Sequence, residues 1–364
     1  MRILMTQPYI PAYRVPLFVA LRQQLEQEGH ELVLVAGKPA PNQRLRGDAT
    51  TGSGAANMRE FILKLPRNRE VRLRSLPRQF RHTRFDVLVS ELDPTNLFVW
   101  SWRLSHPRTP IVLWGHGASF VSDGTSASKY LRALLVRLTA SAVMTYTEGG
   151  KKRLAGSLDG RSKPITAVGN STDTTTLRAA ADSLNEGDRT DARRLVGSGP
   201  RALFVGGLDE SKKVHELLDS ARHAHRSDPE FKLIVIGRGP LEDDVATAVA
   251  EGAVVWIESA RGEKLAAFAA LCESIWMPGR VGLVAVDALA LGLPIVTVAH
   301  QHHAPELELL RADEVHFVEP DPLTFASAAR NAAQKPYERR PSADLPSVQK
   351  VAARMRAVIL SVAR

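Results

Sequence analysis

The chain is predicted to be an α/β protein of two domains, each a parallel sheet covered by helices on both faces. Short apolar runs bounded by glycine or proline alternate with amphipathic helical stretches almost throughout, which is the pattern of strands buried on both sides. A length of 364 residues exceeds one ordinary core and suits two domains of about 150 to 200 residues. The composition, 44% hydrophobic and 24% charged, is that of a globular protein.

In the first half, strands are predicted over residues 2–6, 31–36, 59–63, 85–89, 110–114, 142–146 and 164–167, with helices filling most gaps. The first helix, residues 15–28, stops at Gly29-His30 as a helix end should. The stretch 179–200 is rich in Ser, Gly, Asp and Arg and reads as a connection. Residues 1–180 are therefore expected to form one domain, 181–200 a linker and 201–345 a second domain. Residues 346–364 are expected to form a final helix with apolar spacing at Val348, Val351, Met355, Val358, Ile359 and Val362. Met1 to Pro8 holds too short an apolar run for a signal peptide. The longest apolar span, residues 281–299, is broken by Asp287, Gly292 and Pro294 and makes a poor membrane helix. A single cysteine, Cys272, cannot form an internal disulfide and fits a reducing, cytoplasmic setting.

The most telling stretch runs from Met277 to Val296. Gly279 and Gly282 allow a backbone turn close to a ligand, and the following helix offers free N–H groups at its positive end. Gly292 and Pro294 stop that helix. Such an arrangement suits an anion. Asp287 lies in this otherwise apolar segment, where a polar group without partners costs about 2 to 7 kcal/mol. It either has a hydrogen-bonding role or faces solvent or a neighbouring loop.

Two further segments repeat the strand and glycine turn. Residues 201–214 form an apolar strand, the pair Gly206-Gly207 and Lys212 at a helix start; residues 231–240 form a strand followed by Gly237-Arg238-Gly239-Pro240. In this order and spacing the three segments resemble the nucleotide-sugar domain of retaining GT-B glycosyltransferases of family 4, over roughly residues 201 to 335. The resemblance implies a GT-B fold: two Rossmann-like domains facing a central cleft, with the C-terminal helix crossing back to the N-terminal domain. It also implies a hexosyltransferase-type enzyme that moves a sugar from a nucleotide-sugar donor to an acceptor with retention of configuration, in polysaccharide, glycolipid or natural-product glycosylation.

The departures are specific. Members of the family usually carry an Arg after the first loop glycine, a Lys five residues on, and two Glu eight apart around the ligand helix. Here these positions are Gly207, Lys212, Gly279 and Asp287. By resemblance Lys212 stabilises the diphosphate and Asp287 binds the ribose. Arg280 or Arg238 is the candidate replacement for the lost cation, and the donor site is expected from Gly206, Gly207, Lys212, Gly237, Arg238, Gly279, Arg280, Val281, Gly282, Leu283, Asp287 and Glu306. Gly207 and Gly279 also motivate an alternative, a catalytically silent GT-B subunit that binds a partner enzyme.

In the first half, residues 111–120 end a buried strand with Gly115-His116-Gly117, where α/β sheets place ligands. His116 is either a site residue or a loop histidine bonded to backbone; the resemblance favours contact with donor sugar or acceptor. The loop after the first strand, with Gln7, Tyr9, Tyr13 and Arg14, faces the same side and is expected to help bind a sugar, lipid-linked or small-molecule acceptor. Its prolines and tyrosines would equally make a rigid turn.

Residues 1–180 carry a net charge of +13 and the remainder −4. The excess concentrates between Arg59 and Arg84, where Lys64, Arg67, Arg69, Arg72, Arg74, Arg78 and Arg81 alternate with apolar residues. This basic amphipathic segment fits an anionic membrane surface or a lipid-diphosphate acceptor, each cation contributing about 1 kcal/mol, or it is a solvated face. No nucleic-acid-binding module accompanies it.

Two other readings fail on spacing. A dinucleotide-binding dehydrogenase needs Gly-x-Gly-x-x-Gly after a strand, and Gln7-Pro8-Tyr9-Ile10-Pro11 stands there instead. His300, His302 and His303 lack zinc-site spacing, so the loop from His300 to Glu306 is read as part of the donor site, with no metal or cofactor expected.

Overall fold

The computed structural model describes residues 1–39, 54–65, 69–117, 126–158, 163–299, 302–334 and 337–363. They form two compact units. One holds the described residues up to Asn170 together with those from Val348 onward; the other holds Ser171–Ser347.

In the first unit a parallel sheet is built from β1 (Arg2–Gln7), β2 (Glu31–Ala36) and β3 (Ala56–Asn57), and from four strands after a separate hairpin of β4 (Arg59–Leu65) and β5 (Arg69–Ser75). Those four are β6 (Val87–Glu91), β7 (Ile111–Gly115), β8 (Ala142–Thr145) and β9 (Ile165–Ala167). Their order is β3-β2-β1-β6-β7-β8-β9. The sequence reading of residues 59–63 as one more parallel strand is corrected: this strand pairs antiparallel with β5, Phe61 opposite Leu73 and Glu60 opposite Arg74.

The helices of this unit are α1 (Val15–Glu26), α2 (Leu97–Ser105), α3 (Ser126–Thr139) and α4 (Glu148–Gly156). Alternation along β1 sends Ile3 and Met5 to one core and Leu4 to another, as a strand with period two requires. The first core takes Leu17, Phe18 and Leu21 of α1 together with Val351, Met355 and Ile359 near the chain end. The second takes Phe98 and Trp102 of α2 with Leu135 and Val136 of α3.

The second unit opens with α5 (Thr174–Asp182) and α6 (Glu186–Val196). The expected linker over 181–200 is thus largely helix. Asn185 accepts from the Asp188 backbone N–H while the Asp188 carboxylate accepts from that of Asn185, a capping box that starts α6. The strands β10 (Arg201–Val205), β11 (Lys232–Ile236), β12 (Val254–Ile257), β13 (Ser274–Met277), β14 (Ile295–Val298) and β15 (Val315–Val318) are all parallel. Their order is β12-β11-β10-β13-β14-β15. Around them lie α7 (Val214–Ser227), α8 (Glu242–Ala250), α9 (Gly262–Ala269), α10 (Val284–Leu291) and α11 (Pro322–Ala333). The final helix, α12 (Val348–Ser361), returns to the first unit.

Both units are Rossmann-like. In each, strand order reverses at one place, between β1 and β6 and between β10 and β13, and such switch points open a crevice at the carboxyl ends of the strands. Among the described residues no helix is long and apolar enough to cross a membrane.

Candidate functional site

At the switch point of the second unit two loops meet back to back. The loop after β10 turns through Gly206 and Gly207 into a short 3-10 turn at Glu210–Lys212, whose start is held by Asp209 accepting from the Ser211 backbone N–H at 3.0 Å. The loop after β13 carries Gly279. A Cβ on Gly279 would lie 2.5 Å from the Lys212 carbonyl oxygen and 2.6 Å from its Cα, so only glycine permits this approach. Two hydrogen bonds stitch the seam: the Arg280 N–H donates to Ser211 O at 2.9 Å, and the Lys212 ammonium donates to Arg280 O at 2.6 Å. Lys213 follows in the left-handed region, φ 52°, the one non-glycine there among the described residues.

Beyond the seam, α10 begins. Ala285 N–H reaches Gly282 O at 2.9 Å, whereas the N–H groups of Gly282, Leu283 and Val284 have no acceptor among the described residues. Free donors at the amino end of a helix, next to a lysine, form an anion cradle. Asp287 sits in the same first turn. Its Oδ1 accepts the Thr172 hydroxyl at 2.7 Å, and Oδ2 has no donor among the described residues. Burial pushes this carboxyl up to about 6, the Thr172 bond pulling it back.

The remaining expected donor residues divide. Gly237, at φ 154°, passes so close to Gly206 that a Cβ would strike its carbonyl oxygen, which keeps the first two glycine turns together. Val281 is buried, its N–H bonded to Nδ1 of His303 at 3.2 Å while His303 Nε2–H donates to Val298 O at 2.8 Å. Glu306 is buried in the 3-10 turn that follows. His303 thus clamps the two loops together; His300 lies outside the described residues. Arg238 is an exposed side chain paired with Glu242 at 3.2 Å and Glu258 at 3.5 Å. Among the described residues no cluster of three His, Cys, Asp or Glu can hold a metal.

The first unit has its own pocket, about 240 Å³, at the ends of β1, β6, β7 and β8. Gln7, Arg14 and His116 of the expected acceptor residues line it; Tyr9 and Tyr13 do not. Gly117 and the residues before it are described, and 118–120 lie outside the described residues. Sequence reasoning missed Glu91, Trp114, Arg132 and Tyr146, which complete the wall. Arg14 donates to Gln7 Oε1 at 2.9 Å and to the Tyr146 hydroxyl at 2.7 Å, and its guanidinium lies 4.8 Å from the Trp114 ring centre. His116 meets Tyr146 edge to face at 4.5 Å. Glu91 is tied to Arg74 at 2.6 Å, and Arg74 to Glu60 at 2.9 Å. Burial raises the Glu91 carboxyl above its ordinary range against the pull of Arg74.

Two outcomes follow from this geometry. A carboxyl raised from 3.8 to about 6 contributes stability that is complete below about pH 4 and is lost as pH rises through 6. Asp287→Asn, neutral throughout, should therefore be more stable than the wild type at pH 8, by about 3 kcal/mol, melting higher there and matching it at pH 4. Equal melting at pH 8 would show that the carboxylate is not desolvated. A glutamate at this position, as in the family the sequence resembles, is expected to harm the protein: Gly279→Glu should destabilise by about 1 to 3 kcal/mol through overpacking on Lys212. An unchanged melting temperature together with faster turnover would contradict this.

Residues 199–335 match the family model for glycosyl transferases group 1. No curated protein sequence matches the chain. Among solved structures, HepE from Anabaena in complex with UDP and glucose is 13% identical, with a TM-score of 0.63 over 100% of this chain and 97% of that one. A sucrose-phosphate synthase from Thermosynechococcus elongatus is 15% identical, with a TM-score of 0.63 over 100% and 96%. The UDP-GlcNAc 2-epimerase of Methanocaldococcus jannaschii, at 14% identity and a TM-score of 0.60 over 98% and 99%, shares the architecture too. The seam of Lys212 and Gly279 and the cradle of α10 all fall within the region that matches the group 1 model, and the likeness to these structures over the whole chain shows that the chain has the GT-B fold.

Proposed function

We propose that the chain is a nucleotide-sugar-dependent glycosyltransferase of hexosyltransferase type that acts with retention of configuration, binding the donor on its second unit and the acceptor on its first. The observation that carries the reading is the anion cradle: Lys212, three free N–H groups and Asp287 at the start of α10. Charge develops on the diphosphate as the sugar leaves, and fixed donors aimed at that charge lower the barrier. Asp287 Oδ2 is left to accept from a ribose hydroxyl. UDP is the first nucleotide to test, because it is the one bound to HepE. The group 1 family match favours transfer over epimerisation. The proposal needs no metal, since the lysine and the helix end meet the diphosphate charge. His116 would orient the acceptor or the donor sugar.

Lys212→Ala should keep its fold and lose about 100- to 1000-fold in turnover, measured as donor hydrolysis or transfer. Near-normal turnover removes Lys212 from the site; UDP binding with no turnover in the wild type points to the silent subunit.

The reading includes peripheral attachment to an anionic inner membrane face through the hairpin. Its described side chains refine the charged segment. Arg74 is half-buried between Glu60 and Glu91 and drops out, whereas Arg59, Arg78, Arg81 and Arg84 are exposed. Phe61 and Leu73, opposite each other, are 64% and 44% exposed, an apolar pair beside basic residues. Vesicles containing anionic lipid should sediment the protein at low salt and release it at about 1 M, where screening shrinks to about 3 Å. Replacing those four arginines with serine should abolish sedimentation. Equal recovery on neutral vesicles would leave the arginines as a solvated face and favour a soluble acceptor.

A further inference from the structure

We infer that the pocket of the first unit is an anion site, and that the acceptor presents a carboxylate or a phosphate to Arg14 and Arg132. The acceptor assignment rests on the transferase reading; the anion site does not. The pocket wall contains two guanidinium groups, His116 and one carboxylate, Glu91. That carboxylate is already engaged by Arg74 at 2.6 Å. Arg14 donates to Gln7 Oε1 and to the Tyr146 hydroxyl, and its Nε–H is buried without a partner. The buried indole N–H of Trp114, on the same wall, has no partner either. Arg132 makes no ion pair among the described residues. Asp93 is the acidic group that faces it, and burial still pulls its guanidinium downward.

A guanidinium out of water without a counter-charge is expensive, and truncated or unpaired buried charges are destabilising. Arg14 is such a group and Arg132 is half-buried beside it; with that wall's carboxylate committed to Arg74, the counter-charge is left to a ligand. Planar forks of N–H donors bind carboxylate and phosphate oxygens in pairs, and the aromatic faces of Trp114 and Tyr146 offer a sugar ring a surface beside that contact. Neutral acceptors would leave both arginines unmatched.

The test uses the full chain saturated with UDP. Glucose 6-phosphate and glucuronate are titrated calorimetrically against glucose, and inorganic phosphate against chloride of equal ionic strength. Each charged probe should bind at least about tenfold tighter than glucose, a difference of about 1.4 kcal/mol. Arg132→Gln should erase the difference while preserving melting temperature and UDP affinity, and Arg132→Lys should restore part of it. Preference for the phosphate points to a phosphorylated acceptor, and preference for glucuronate to an acidic sugar. Binding no tighter than glucose, or a preference that survives Arg132→Gln, overturns the proposal. If UDP displaces the charged probes from an Arg132-dependent site, the pocket holds the donor's diphosphate and the acceptor assignment falls. If UDP does not bind while the anions do, the transferase reading fails and the anion site stands.

Discussion

The contact between the backbones of Gly279 and Lys212 is the constraint on which the second unit's site depends. It presses the loop after β10 against the loop after β13, and the two hydrogen bonds across it fix where the Lys212 ammonium ends. Only then does α10 start with its free N–H groups beside that ammonium. The absence of the family's first glutamate follows from the same contact. With the main chains this close there is no room for a side chain at 279, so the glycine is a packing requirement of this loop geometry and is compatible with an active or a silent protein alike.

The other departures have local explanations of differing kinds. Asp287 stands where the family has a longer acid, and Thr172 braces it from the segment before α5. The brace occupies one oxygen and leaves the second available, which suits an acceptor for a sugar hydroxyl. Arg238, the one candidate cation outside the seam, is paired with Glu242 and Glu258 at the surface. The diphosphate charge would fall on Lys212 and the helix end, with Arg280 and Arg238 as the candidate further cations.

Much of the architecture was legible because parallel strands buried on both faces are nearly continuous apolar runs, and each of the ligand loops announced itself by glycine. What escaped has physical reasons. The strand at residues 59–65 has the same composition as a sheet strand, and only its partner, β5, reveals a hairpin. Helix α6 hid in a polar stretch because its stability comes from the capping box at Asn185 and Asp188 and from two buried residues, Ala192 and Val196, too few to set a periodicity. Thr172, Arg132 and Tyr146 were invisible as site residues because each acts across more than a hundred positions of sequence or from the middle of a helix pattern that its own segment explains.

Arg74 shows how charge counting misleads in the first unit. In sequence it is one of seven basic residues spaced for a surface. In the fold it lies between two carboxylates, Glu60 and Glu91, the second of which lines the pocket. Removing it would leave two buried acids with no cation between them, the arrangement that costs most. The same ion pair takes Glu91 out of the pocket's charge balance. The basic excess of this unit thus has two separate origins, exposed arginines around the hairpin and the inward-facing Arg14 and Arg132. Only the second set is desolvated, and salt screens desolvated charges far less than exposed ones. Surface attraction and pocket recognition in this unit should accordingly respond to ionic strength in different ways, the first collapsing within physiological to molar salt and the second persisting.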